Sequence, residues 1–152
     1  MSKDENETVA EAGPDRDVLL QWLMGFAEAG LEYTITLSVG GLLVSGILVA
    51  QNTYLEAFAN QFTDALQGAL SPTTVDEMKQ IFHPLYQDDE ESETEAGHLH
   101  STSALRRPYI HLRDARICIP DSGPIPTSTG TLWRGKVSAV DAFFLGALGW
   151  ET

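Results

Sequence analysis

Residues 132–146 read LWRGKVSAVDAFFLG, an apolar-rich run close to the end of a chain of 152 residues. β-branched and aromatic residues in short runs, punctuated by Gly135 and Gly146, read as two strands. Leu132, Trp133 and Val137 lie in the first and Val140, Phe143, Phe144 and Leu145 in the second, with a polar step at Ser138. Asp141 marks the turn between the two halves. A strand pair of this size is marginal alone in water. It therefore needs partners earlier in the chain, and residues 33–39, 42–49 and 109–119 are the candidates.

At 33–39, Tyr33, Ile35, Leu37 and Val39 alternate with Thr34, Thr36 and Ser38, the pattern of a half-buried strand with its Thr/Ser face in water. Gly40-Gly41 supplies a two-residue turn that needs positive φ. Residues 42–49 return as a strand apolar on both faces, with Gly46 as a bulge or bend. Residues 109–119 form a strand kinked at Asp114-Ala115. The following PDSGPIPTSTG (120–130) is an irregular loop, because its three prolines and two glycines break regular pairing.

Helices fill the remaining stretches. From Asp15 onward, Val18, Leu19, Trp22 and Phe26 fall on one face, extended by Ala29, and Gly30 is suited to a left-handed cap. Asp15 and Asp17 suit the positive end of that helix. Thr53-x-x-Glu56 has the form of a capping box, followed by Leu55, Phe58, Ala59, Phe62, Ala65, Leu66 and Ala69 at helical spacing. Ser71-Pro72 opens a shorter helix with Val75, Met78 and Phe82 on one face, ended by His83-Pro84. The polar faces of these two helices lack the Lys and Arg of an interfacial helix. They are expected to pack on the sheet or on a second copy, not on a membrane.

The order predicts an α+β fold: a small, strongly bent antiparallel β barrel of the Sm-like or SH3-like plan, with an N-terminal helix and a helical insertion. Residues 15–148 form this single domain. An acidic, disordered N-terminus at 1–14 precedes it, and an acidic flexible linker at 87–104 interrupts it. The linker contains DDEESETE (88–95), six acids in eight residues.

Charge is distributed unevenly. The formal net charge is −13, which argues against a nucleic-acid partner engaged over the whole surface. Yet Arg106, Arg107, Arg113, Arg116, Arg134 and Lys136 all lie after position 103, against four acids there. The first 103 residues carry about −15 and the remainder about +2. Such a chain can attract its own copies. The single cysteine, Cys118, excludes an internal disulfide and fits a reducing cytosol. No signal-peptide pattern opens the chain, and the apolar run from Leu42 is far too short to span a bilayer. A cytoplasmic, soluble protein is expected.

No constellation points to catalysis, a cofactor or a metal. His98-x-His100 with His111 and Cys118 fits no structural zinc spacing, and the acid run lacks the alternation and central Gly of an EF-hand loop. Ser122 and Ser128 lie in a loop without a nucleophile-elbow signature, and there is no phosphate-binding Gly-rich loop. The arginines interleaved with Tyr109, His111 and Trp133 are compatible with an Sm-like RNA platform. Pairing of the same arginines with the acidic linker, within or between chains, is the preferred reading.

Two segments resemble a known family. ITLSVGGLLVSGILVAQNTYLEAFANQF (35–62) and YIHLRDARICIPD…LWRGKVSAVDAFFLGAL (109–148) are similar to the gas vesicle accessory protein GvpU family. The matching residues are Ile110-His111-Leu112, Asp114-Ala115-Arg116-Ile117, Trp133-Arg134-Gly135-Lys136-Val137, Val140-Asp141 and Phe143-Phe144-Leu145-Gly146. The resemblance runs from Asp17 to Leu148, omitting the linker. It implies a non-enzymatic accessory protein that self-associates, by phase separation or assembly, and clusters gas vesicles. Its partners would be the vesicle shell proteins and itself. The interaction residues it suggests are Trp133, Arg134, Lys136, Asp141, Phe143 and Phe144, joined by Arg113 and Arg116 from the charge argument.

Overall fold

The computed structural model describes residues 17–86 and 107–148. The expectations for 1–14 and for the linker at 87–104, with its acid run, His98 and His100, lie outside the described residues. In chain order the elements are α1 (Val18–Glu28), β1 (Tyr33–Val39), β2 (Leu42–Leu48), α2 (Gln51–Leu66) and α3 (Pro72–Tyr86). They are followed by β3 (Tyr109–Cys118), β4 (Pro124–Ile125), β5 (Thr131–Lys136), a 3₁₀ turn (Val137–Ala139) and β6 (Val140–Leu145). The fold is α+β, as expected from the sequence.

All the strands are antiparallel and lie in one sheet, in the order β4-β3-β2-β1-β6. Strand β5 shares the outer side of β3 with β4: Tyr109 faces Lys136 and Leu112 faces Trp133, whereas Cys118 further along faces Pro124. Gly40 and Gly41 turn β1 into β2 with φ of +58° and +87°, the conformation a two-residue hairpin loop needs. The bulge expected at Gly46 is present as a register shift between Ser45 and Ile47. The kink expected in β3 is centred on Asp114, whose φ is +51°.

The closing stretch is not a strand pair. The chain turns at Val137–Ala139 rather than at Asp141, and β5 and β6 join opposite sides of the sheet. Val137 is buried and its N–H donates to the Pro108 carbonyl at 2.8 Å, the last rung that holds the chain on the β3 edge before it turns away. By Val140 the chain is already opposite Val39 of β1. In a flat sheet β5 and β6 would stand ~19 Å apart across four ladder spacings. Here a three-residue 3₁₀ turn, rising only ~2 Å per residue, joins them, so the sheet is strongly bent. No ladder joins β5 to β6, however, and the sheet stays open. The closed Sm-like barrel is not formed, because β6 places its inward hydrogen bonds on β1 and none on β5.

Helix α1 covers the concave core. Leu20, Met24 and Ala27 pack on Ile35, Leu37, Val44, Leu48, Ile110 and Leu112. Asp17 caps its start, accepting from the Leu20 N–H at 3.2 Å, and Gly30 takes φ +104° just past its end. The Tyr33 hydroxyl donates to the Leu23 carbonyl and ties β1 to the helix. The face carrying Val18, Leu19, Trp22 and Phe26, expected to pack, points to solvent instead. Both faces of α1 are apolar, so spacing alone could not choose between them. The choice is made by Gln21 on the inner face, 1% exposed. Its amide donates to the Arg107 carbonyl at 2.9 Å and accepts from the Arg107 N–H at 3.1 Å, so one side chain serves as a strand partner for the entry to β3.

Three further expectations change. Thr36 does not face water but is fully buried, because residues 146–148 fold across it. Its hydroxyl donates to the Gly146 carbonyl at 2.8 Å, and the neighbouring Ser45 hydroxyl accepts from the Leu148 N–H at 3.2 Å. The capping box at Thr53 is not formed, since α2 begins at Gln51 behind Ala50. The Gln51 N–H is capped from another element, by the Glu28 carboxylate at the end of α1, at 2.6 Å. Ser71 caps α3 as expected, accepting from the Thr74 N–H at 3.2 Å, but the helix continues past Pro84 to Tyr86. Pro84 forgoes its own bond to the preceding turn, but only two residues of helix follow it, so little helix is left to be displaced.

Gln21→Leu should unfold at lower urea than wild type, because the buried Arg107 N–H and carbonyl lose both partners. A loss of about 2 kcal/mol is expected, and an unchanged urea midpoint would show that the clamp is dispensable.

Candidate functional site

Strand β3 sorts its side chains between two faces. Ile110, Leu112 and Ala115 face the core, whereas Tyr109, His111, Arg113 and Arg116 lie on the opposite face of the sheet, where Tyr54 of α2 covers His111. The left-handed Asp114 absorbs one residue of register, so Arg113 and Arg116 rather than neighbours two apart share the outer face. Its carboxylate accepts from the Gly130 N–H at 3.0 Å, which holds the kink against the loop that leads to β5.

Opposite His111 stands Arg134 of β5. The Arg134 Nε–H donates to His111 Nε2 at 3.1 Å, and its guanidinium lies 4.0 Å from the centroid of the Tyr109 ring, a cation–π contact. Against His111 packs Tyr54 of α2, with ring centroids 4.8 Å apart. The Val49 N–H donates to the His111 carbonyl at 3.1 Å, just before α2 begins. The histidine is therefore a buried hinge between sheet and helical insertion. Burial, reinforced by the Arg134 charge, pushes its pKa down to about 4. Burial also raises the Tyr54 phenol, a shift that Arg134 partly offsets.

Four of the interaction residues suggested by the sequence lie on this β3–β5 face. Lys136 is exposed opposite Tyr109, and Arg134 is exposed with its guanidinium over the Tyr109 ring. Arg113 pairs with Glu32 at 2.8 Å. Arg116 lies 3.7 Å from Asp114 and donates to the Ser128 carbonyl at 2.9 Å. The other four are elsewhere. Trp133 is half-buried against the core and lies over Gly135, where a Cβ would come within 2.3 Å of its ring. Asp141, Phe143 and Phe144 sit on β6. Asp141 accepts from the Gly40 N–H at 3.3 Å, bracing the Gly-Gly turn, and Phe143 packs on the core beside Leu37. Phe144 is 47% exposed.

Sequence reasoning missed three features. The His111 cluster was invisible because its members come from α2, β3 and β5. The only hint was His111 alternating with core positions Ile110 and Leu112. On α1, helical spacing predicts a packing face where the structure has an exposed stripe. On the helical insertion, Phe58, Phe62 and Phe82 form an aromatic stack with centroids 5.6 to 6.4 Å apart. Phe58 and Phe62 each remain 39% exposed, beside a still more exposed Ile81 and Leu85.

Among the described residues there is no group of three His, Cys, Asp or Glu placed to hold a metal, and no helix is long and apolar enough to cross a membrane. Cys118 is a free, half-buried thiol.

Residues 17–148 match the family model described as gas vesicle protein GvpU-like. The match has the same end points as the resemblance read from the sequence, which omitted the linker. Neither the curated proteins nor the solved structures contain a match.

Because the folded His111 binds its proton only near pH 4 and an unfolded histidine does so near ~6.5, the unfolded chain holds the extra proton between those values. Stability from this group is full above about pH 6.5 and is lost as pH falls toward 4. Urea midpoints measured across that window should fall more steeply for wild type than for His111→Gln. Parallel slopes would show that the histidine is not held neutral.

Proposed function

The chain belongs to the GvpU-like gas vesicle family, and from that premise we propose that it is a non-catalytic accessory protein which self-associates and gathers gas vesicles into clusters. The observation that carries this reading is charge polarity. Arg113, Arg134 and Lys136 stand exposed on the β3–β5 face, while residues 88–95 of the same chain hold six acids in eight positions. The acid run of one copy meets the cationic face of another. Single exposed ion pairs contribute only ~0–1 kcal/mol each, so association is weak per contact and multivalent. It is also sensitive to salt, since screening at ~0.1 M confines such attraction to ~10 Å.

The shell-facing surface is assigned to the helical insertion. Its half-exposed Phe58 and Phe62, with Ile81 and Leu85, offer the apolar ground that an apolar protein shell would accept. In this reading the protein works in the cytoplasm, attached to the vesicles it gathers. An RNA platform is disfavoured, because the Tyr109 ring already carries Arg134 and the chain is strongly anionic.

The test is turbidity and sedimentation of the protein with purified gas vesicles over a salt series, beside a variant whose residues 88–95 are all neutral. Wild type should collect vesicles at low salt and release them at high salt, and the neutral variant should leave them dispersed. A clear solution of small, salt-indifferent particles that ignore vesicles would remove the clustering reading.

A further inference from the structure

Helix α1 leaves an apolar stripe in solvent: Val18 is 50% exposed, Leu19 59%, Trp22 56% and Phe26 36%. At its C-terminal end the stripe runs into a groove of about 370 Å³ bounded by Phe26, Leu31, Tyr33 and Leu145. Leu31 and Leu145 are themselves 59% and 62% exposed. The far wall of that groove is β6, an edge strand that pairs, among the described residues, with β1 alone. The Gly146 N–H donates to the Thr34 carbonyl. By antiparallel alternation the N–H and carbonyl of Phe143 and Leu145 therefore point to the open side. Residues 140–145 contain no Lys and no Pro, the usual guards of a free edge. Their one charge, Asp141, is turned to the Gly40 N–H.

We propose that the free edge of β6 and the stripe of α1 form a two-fold interface between two copies of this chain. In it, β6 pairs antiparallel with its counterpart, and the two α1 stripes and grooves cover each other. Three observations favour a second copy as the occupant. An antiparallel ladder between identical strands is two-fold symmetric by construction, so each copy supplies the strand the other lacks. The six exposed side chains present on the order of 100 Å² each. Together that is roughly 600 Å², close to the ~800 Å² per partner of a stable interface once strand backbone is added. Residues 18–27 carry no charge, so two chains of −13 meet there without like charges opposed. A lipid headgroup or a nucleic acid would find no cation on the stripe.

The inference rests on the reading that the chain associates with itself, but it uses a different surface and a different force. Electrostatic clustering dissolves in salt, whereas an apolar, hydrogen-bonded interface persists.

The experiment is sedimentation equilibrium of the full chain in about 0.5 M salt at up to about 0.1 mM protein. Wild type should sediment at twice the 16.6 kDa chain mass. Leu19→Glu/Trp22→Glu changes only exposed positions and should weaken dimerisation at least ~100-fold, with an unchanged urea midpoint at a dilution where both proteins are monomers. Leu145→Pro, which removes an outward N–H, should weaken it as well. A wild-type monomer under these conditions overturns the inference, and so does a dimer indifferent to both variants. A monomeric wild type whose vesicle binding is lost in the double variant would assign the stripe to the shell and equally overturn it. A salt-resistant dimer that ignores vesicles would leave the interface standing and remove the clustering reading.

Discussion

The molecule depends on β3 being paired on both sides while kinked in its middle. One side carries all of β2's register, and the other is divided between β5 and β4. A straight ten-residue strand could not serve both short partners and still keep Leu112 and Ala115 in one core. Asp114 resolves this by entering the left-handed region, which Asp visits at lower cost than most residues because its side chain bonds locally. Its carboxylate accepts instead from the Gly130 N–H, a bond from the loop before β5 that holds the kink in place. The alignment of the outer cations follows from that residue, and the bent sheet carries further register shifts between Ser45 and Ile47 of β2 and between Ser38 and Val39 of β1.

Around β3, the helices are attached by polar side chains at their ends and by apolar ones at their centres. Gln21 ties α1 to the entry of β3, Glu28 caps α2 from α1, and His111 joins α2 to the sheet through Tyr54. Each of these is a long-range contact by a residue with a second, more ordinary reading. A buried glutamine with both amide groups satisfied costs little and fixes which face of the helix turns inward. That matters here because α1, apolar on both faces, could otherwise pack either way round. The exposed stripe is the consequence: the polar anchor, not hydrophobicity, decides which apolar face remains outside.

Much of the fold was legible from local chemistry. The alternation in β1, the positive-φ Gly-Gly turn, the bulge at Gly46 and the kink at Asp114 are written in adjacent residues, and adjacent residues decide them. The failures are of another kind. The turn at Val137–Ala139 rather than Asp141 depends on a hydrogen bond to Pro108, and the burial of Thr36 depends on Gly146 folding over it. The cap of α2 comes from Glu28, so the local Thr53 signal was outcompeted by a carboxylate from another helix. The family motif was legible because WRGK and FFLG lie in contiguous stretches. The structure shows these to be the ends of two strands on opposite sides of the sheet. Two of the motif's three aromatic residues, Trp133 and Phe143, pack on the core, which leaves its charged members and Phe144 at the surface.

Two physically different surfaces therefore coexist on a small domain. The β3–β5 face is cationic and already partly satisfied: Arg113 and Arg116 have carboxylate neighbours, and Arg134 has an aromatic one. Such a face exchanges partners easily, because each internal contact it gives up is replaced by a similar one. The α1–β6 side is apolar and ends in unpaired backbone, so any partner there must match shape and strand register together. Weak, exchangeable contacts suit the gathering of large particles, whose many copies multiply each small attraction. A defined pairing suits the protein's own building unit. On the proposed pairing, each two-copy unit would carry two cationic faces and two acid runs, enough for one unit to bridge two particles.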